Sequence, residues 1–131
     1  MIVDTSAILA VLIEEPDAAI FDALLSKTPG VRLSAGSWVE LAAVLLRRFR
    51  GMHDATLAGM MAEWRIEIAP VTTTQAHLAA LAYRTYGIGT GHPARLNFGD
   101  CFAYALAKET GEPLLFKGDD FGRTDVVPAI R

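Results

Sequence analysis

Asp4, Glu40, Asp100 and the adjacent Asp119 and Asp120 each stand where a short apolar run gives way to a turn or a helix start. In an open α/β sheet the carboxyl ends of parallel strands face one crevice, the usual ligand position. Carboxylates gathered there repel one another, and a divalent cation held by oxygens is the natural counter-charge. Oxygen-only ligands favour Mg²⁺ or Mn²⁺ over zinc. The histidines, His53, His77 and His92, are scattered, and the single cysteine, Cys101, has no partner for a disulfide or a zinc cluster.

Each acid also has a purely structural explanation. Ser37-Trp38-Val39-Glu40 spells the capping box S-x-x-E, in which Glu40 would only bond back to a cap amide. Asn97-Phe98-Gly99-Asp100 repeats that spacing with Asn97 as cap, Asp4 can cap the first helix, and Gly118-Asp119-Asp120 reads as a turn. Caps alone, however, do not require every acid to lie at the same end of a sheet. Helix N-termini also lower the cost of clustered negative charge, so capping and metal ligation are compatible roles.

Other chemistries find less support. Gly87-Ile88-Gly89-Thr90-Gly91 follows a helical pattern instead of a strand, the wrong context for a dinucleotide loop, and Lys117-Gly118 reverses the P-loop order. The serines lack a nucleophile elbow. Arg47, Arg48 and Arg50 resemble a basic patch but sit in the last turn of a helix, where cations offset the macrodipole.

The elements that must position these acids follow from hydrophobic period. Short strands are predicted at Met1 to Val3, Val31 to Ser34, Ile66 to Val71 and Leu114 to Phe116, with a fifth at Val126-Val127. Helices are predicted from Thr5 or Ser6 to about Ile13, from Pro16-Asp17 to Ser26 with Ile20, Phe21, Leu24 and Leu25 inward, and from Gly36-Ser37 to Arg50. Three more run from Asp54 to Trp64, from a Thr72 to Thr74 cap through Leu78, Leu81 and Ala82, and from Phe98 to Thr110. Strands separated by helices imply βαβ crossovers and a mainly parallel sheet covered on both faces.

A chain of 131 residues makes one domain, spanning residues 1–131. Its net charge of −3 argues against a generic electrostatic nucleic-acid binder, unless the acids share one metal-filled pocket where cations reverse the local sign. An apolar fraction of 52% suggests surface reserved for a partner or a second copy. The N-terminus lacks a basic region, and the apolar run Ala7 to Ile13 is far too short to span a bilayer, so a cytoplasmic protein is expected.

Four segments together resemble a known family: Met1-Ile2-Val3-Asp4-Thr5-Ser6-Ala7, Ser37 to Leu41, Arg95 to Ala105, and Leu115 to Phe121 with Thr124-Asp125. In this order they are similar to the PIN-domain ribonuclease toxins of the virulence-associated protein C type, found in toxin–antitoxin modules. The resemblance implies a three-layer α/β/α sandwich with a short, mainly parallel sheet of four to five strands. It also implies a homodimer, Mg²⁺-dependent cleavage of RNA with Mn²⁺ as a substitute, and a small cognate antitoxin. The family's acidic quartet falls on Asp4, Glu40, Asp100 and Asp119, with Asp120 the alternative fourth acid and Thr5 or Ser6 the small hydroxyl residue after the first aspartate.

In that reading Asp4, Asp100 and Asp119 ligate metal and Glu40 completes the shell or orients the nucleophile. Thr5, Ser6, Asn97 and Asp120 support the site, while Lys117, Arg95 and Arg123 are candidates for RNA phosphate contact. The antitoxin is expected to lay an apolar segment across the first helices, around Ile13, Phe21 and Leu45, and to offer an Arg or Lys to the acids. Two other classes remain open. One is a non-catalytic acidic module that binds a basic partner. The other is a phosphatase with Asp4 as nucleophile, although such enzymes carry a second Asp two positions on, where this chain has Ser6.

Overall fold

The computed structural model describes residues 1–130. Four short strands, β1 (Ile2–Val3), β2 (Arg32–Ser34), β3 (Glu67–Ala69) and β4 (Leu114–Leu115), form one sheet in the order β3-β2-β1-β4, every pair parallel. The helices are α1 (Thr5–Leu12), α2 (Ala18–Lys27), α3 (Ala35–Phe49), α4 (Asp54–Glu63), α5 (Thr73–Tyr86) and α6 (Asp100–Thr110).

Register decides which side chains face which layer. Ile2 pairs with Leu114 and Val3 with Leu115, and because alternate residues point to opposite faces, the sheet feeds two cores. Val3, Leu33 and Leu115 pack with Ile8 of α1, Leu25 of α2, Leu41 and Leu45 of α3 and Leu57 of α4. Ile2, Ala69 and Leu114 pack with Ala82 of α5 and with Ala103, Tyr104 and Leu106 of α6. That is the α/β/α sandwich, with a four-stranded sheet.

Several boundaries differ from the sequence expectation. The fifth strand at Val126-Val127 does not form. Leu114 instead donates to the Val127 carbonyl at 2.8 Å and accepts from the Ala129 amide at 2.8 Å, an isolated bridge opposite Pro128, which has no N–H to extend a ladder. The third strand ends at Ala69, just before Pro70. Helix α3 begins earlier than Gly36-Ser37, capped by Ser34, whose hydroxyl accepts from the Gly36 amide at 3.2 Å. Ile20 is 59% exposed, whereas Phe21 and Leu45 are core residues at 6% and 1%, so neither offers a docking surface to an antitoxin. Ile13 is half-buried.

The strand order places the site. The chain steps outward from β1 to β2 and β3 on one side, then crosses to β4 on the other, so the switch point lies between β1 and β4. Ligands of such sheets bind outside the strand ends at that point. Asp4 directly follows β1, and Lys117-Gly118-Asp119-Asp120 follows shortly after β4. Helices α3 and α6 meet closely above them, because a Cβ on Gly36 would drive into the Phe102 ring. This approach sets Glu40 of α3 against Asp100 of α6.

Candidate active site

Asp4 is the N-cap of α1: its Oδ2 accepts from the Ser6 amide at 2.9 Å and from the Ser6 hydroxyl at 2.6 Å. Its other oxygen, Oδ1, is buried without any hydrogen-bond partner. Asp4 is only 2% exposed, and burial pushes its pKa up against the opposing pull of the Ser6 bonds. The position two residues on, where an aspartyl phosphatase would carry its second Asp, holds Ser6, whose hydroxyl donates to Asp4. The Ser6 hydroxyl also accepts from the Lys117 amide at 3.0 Å, tying the end of β1 to the segment after β4.

Asp100 opens α6 in a reciprocal box with Asn97. The Asn97 amide donates to Asp100 Oδ2 at 2.8 Å, and the Asp100 amide donates to Asn97 Oδ1 at 2.9 Å. The capping expected of Asn97 is therefore present, and it fixes the carboxylate at the mouth of the cavity. Burial, countered by the Asn97 bond and reinforced by the charges of Asp4, Glu40 and Asp120, raises the Asp100 pKa to about 7. Of the two aspartates at 119 and 120, both exposed, it is Asp120 whose charge acts on Asp100.

Glu40 makes no capping box, since Ser37 lies inside α3 with its hydroxyl buried and unpaired. Glu40 instead turns toward Asp4. Burial and the Asp4 charge raise its pKa, and an interaction with the Thr5 side chain offsets part of this. The Thr5 hydroxyl also donates to the Ser37 carbonyl at 3.3 Å.

Asp4, Thr5, Ser6, Glu40, Asn97 and Asp100 thus line one open cavity of about 460 Å³. Arg47 lines it too. The helix-end explanation of Arg47 was incomplete: it lies seven residues, about two turns, beyond Glu40, so both occupy one face of α3, a spacing legible in the sequence. Lys117, Arg95 and Arg123 are not in the cavity's lining. The Lys117 ammonium pairs with Glu15 and, at 3.5 Å, with Asp17. Arg95 is exposed with a left-handed backbone (φ 51°) two residues before Asn97, and Arg123 is exposed on a short 3₁₀ turn, Phe121–Arg123. Asp125 of the Thr124-Asp125 pair is structural, accepting from Tyr104 at 2.7 Å and pairing with Lys108 at 2.9 Å.

Gly99 has room for nothing larger than hydrogen. Its backbone is helical (φ −64°, ψ −38°), so alanine suits its dihedrals, yet a Cβ there would overlap the Glu40 carboxylate. Gly99→Ala should therefore leave the melting temperature nearly unchanged, because the displaced group is the tip of a flexible side chain. Any reaction that uses Glu40 in this cavity should slow roughly 100-fold, the order expected when a reacting group is displaced by about an ångström. Shortening Glu40 to Asp in the Gly99→Ala background should recover part of the loss; full activity of Gly99→Ala alone would contradict this role.

Comparison with known proteins agrees with the geometry. The PIN domain family model matches residues 1–127. Ribonuclease VapC42 of Mycobacterium tuberculosis is 49% identical over 129 residues, covering 98% of both chains. The chain belongs to the virulence-associated protein C family of PIN-domain ribonucleases. Members of known structure share the fold. VapC20 of Mycobacterium tuberculosis, a sarcin-ricin loop cleaving toxin, superposes with a TM-score of 0.72 at 22% identity over 96% of this chain and 95% of that one. VapBC2 of Rickettsia felis, bound to a DNA fragment from its promoter, gives 0.70 at 15% identity, covering 97% and 94%.

Proposed function

We propose that this chain is a divalent-metal-dependent endoribonuclease and the toxin of a toxin–antitoxin pair. The observation that carries the metal reading is Asp4 Oδ1, a buried carboxylate oxygen with no hydrogen-bond partner, on a residue that lines one cavity with Glu40 and Asp100. An unpaired buried charge is costly, and a divalent cation held by carboxylate oxygens would offset it. Among the described residues no three Asp, Glu, His or Cys side chains are already gathered as a metal-binding group. Mg²⁺ keeps several waters and takes one or two carboxylates, so Asp4 and Asp100 would be enough to hold it, with Mn²⁺ as a substitute.

Asp4 and Asp100 are the residues we assign as ligands. Bound there, the ion would polarise the scissile phosphate and make a water nucleophilic near neutral pH. Glu40, which interacts with the Thr5 side chain and fits beside Gly99 because Gly99 lacks a Cβ, would orient the attacking water and take its proton. Ser6 fixes the orientation of Asp4, and Asn97 that of Asp100. Arg47, which lines the cavity, is the cation we assign to an RNA phosphate, with exposed Arg95 and Arg123 as further candidates.

For the fourth acid we favour Asp120 over Asp119, because its charge reaches Asp100. Asp120→Asn should lower cleavage roughly 10- to 100-fold, the range for a group that supports a metal site from outside its direct ligands, with Asp119→Asn milder. The reverse order in a kinetic comparison of the two variants would assign the position to Asp119.

Exposed apolar side chains on α2 and α3, Ile20 at 59%, Val39 at 66% and Leu46 at 68%, support burial by an antitoxin and by a second copy of the chain. Expression alone and together with a candidate antitoxin, followed by sequencing of RNA ends, tests the toxin assignment. New RNA ends should accumulate only when the chain is expressed without its partner.

A further inference from the structure

We propose that Lys117 is a positioning residue for Asp4: its ammonium clasps the turn between α1 and α2, its backbone amide holds the Ser6 hydroxyl, and Ser6 in turn holds the Asp4 carboxylate. This rests on the metal-dependent ribonuclease reading above. The place of Lys117 in the sequence suggests an RNA phosphate contact; its contacts in the fold give it a different use.

The chain of contacts is continuous. Lys117 Nζ pairs with Glu15 and, at 3.5 Å, with Asp17. Its amide donates to Ser6 Oγ at 3.0 Å, and that hydroxyl donates to Asp4 Oδ2 at 2.6 Å. Ser6 lies in the first turn of α1 and Glu15 just beyond its end, so one residue is bonded at both ends of the helix that Asp4 caps. With Oδ2 occupied by Ser6, Oδ1 is the Asp4 oxygen left for a cation. Where Oδ1 points is therefore set by Ser6 and, through Ser6, by Lys117.

The anchor of the clasp is firm. Between α1 and α2 the Glu15 amide donates to the Ala10 carbonyl at 2.9 Å, the Ala18 amide to the Glu15 carbonyl at 2.9 Å and the Phe21 amide to the Asp17 carbonyl at 3.2 Å. The ammonium takes these acids although Asp119 and Asp120 follow closely in its own loop. Gly118, left-handed at φ 95°, turns the chain between them, and Phe121, 3% exposed, seats the far side of the loop in the core. Reaching for a phosphate would cost Lys117 both carboxylates and free the Ser6 hydroxyl that Asp4 needs.

The test measures Mg²⁺ binding by calorimetry without RNA, and kcat and KM for an RNA oligonucleotide that wild type cleaves. It compares wild type, Lys117→Met, Lys117→Arg and the double variant Glu15→Gln with Asp17→Asn. Lys117→Met and the double variant should each weaken Mg²⁺ binding about tenfold, the lower end of the loss when a group that orients a metal ligand is removed. KM at saturating Mg²⁺ and its salt dependence should match wild type, and Lys117→Arg should keep wild-type Mg²⁺ affinity. All three neutralising substitutions together should cost no more than either set alone, since both cut one chain of contacts. The double variant leaves Lys117 in place and carries the test if Lys117→Met does not fold. A phosphate-binding Lys117 gives another pattern. KM then rises in Lys117→Met with a salt slope smaller by about one, and falls in the double variant, where the ammonium is released. That pattern overturns the proposal. So does unchanged Mg²⁺ affinity in either variant, and a lowered melting temperature beside it would show a clasp that only staples the fold; the ribonuclease reading stands in both cases. A wild type that binds no Mg²⁺ defeats the metal reading and the proposal with it.

Discussion

Asp100→Asn should abolish RNA cleavage, a loss on the order of a thousandfold or about 4 kcal/mol of transition-state stabilisation, while making the metal-free protein more stable at neutral pH. The two effects share a cause. Asp100 is pushed up to about 7 by burial and by the charges of Asp4, Glu40 and Asp120, so ionising it in the folded chain is unfavourable without a cation. Because its folded pKa exceeds the unfolded value of about 4, the folded state holds the proton more tightly. Its contribution to stability is therefore fully present below pH 4 and is lost as pH rises through about 7. Thermal unfolding of metal-free wild type should show that decline, and Asp100→Asn should flatten it. The amide can still accept from the Asn97 backbone, so the box that opens α6 survives. Asp4→Asn should be equally inactive but gain less stability, because its new NH₂ would be buried where Oδ1 already lacks a partner. A fully active, folded Asp100→Asn protein would remove the carboxylates from the chemistry.

Chelation should have an effect of the same size. Cleavage should vanish in EDTA and return with Mg²⁺ or Mn²⁺, while Ca²⁺, larger and looser in its coordination, should occupy the site with little turnover. Binding to the folded state alone also raises apparent stability, by about 2.7 kcal/mol when the ion stands at a hundred times its Kd. The melting temperature should therefore rise with Mg²⁺ and with Ca²⁺ alike, and the rise should be lost in Asp4→Asn. Cleavage that persists after exhaustive chelation would point to metal-independent chemistry.

Much of the fold was legible because β1 ends before Asp4, β2 ends at Ser34 and β3 ends before Pro70, while the longer helices carry apolar residues at helical spacing. What failed depended on neighbours. The start of α3 moved to Ser34 because that residue both ends β2 and caps the helix, leaving Ser37 of the apparent box inside it. Val126-Val127 has strand-like composition, yet the chain beyond it meets Leu114 at Pro128, which cannot donate. Ile20 and Phe21 are adjacent on one helix, and only the packing of α2 decides that Phe21 is buried and Ile20 exposed.

At the site, residue types were informative and distances were not. Asp4, Glu40 and Asp100 do share a cavity. A sequence does not show that Asp120, rather than Asp119, acts on Asp100, because two adjacent acids in a turn are distinguished only by direction. Arg47 could have been found from its two-turn spacing to Glu40. Gly99 could not, because its importance lies in an atom it lacks.

The most direct measurement follows the side-chain carboxyl carbons of the aspartates by NMR across pH, with and without Mg²⁺, alongside cleavage of an RNA oligonucleotide at the same ion concentrations. Asp100 should titrate near 7 without metal and fall well below neutrality as Mg²⁺ saturates, with cleavage rising over that same range. An Asp100 resonance indifferent to Mg²⁺, in a protein that still cleaves RNA, would contradict the account.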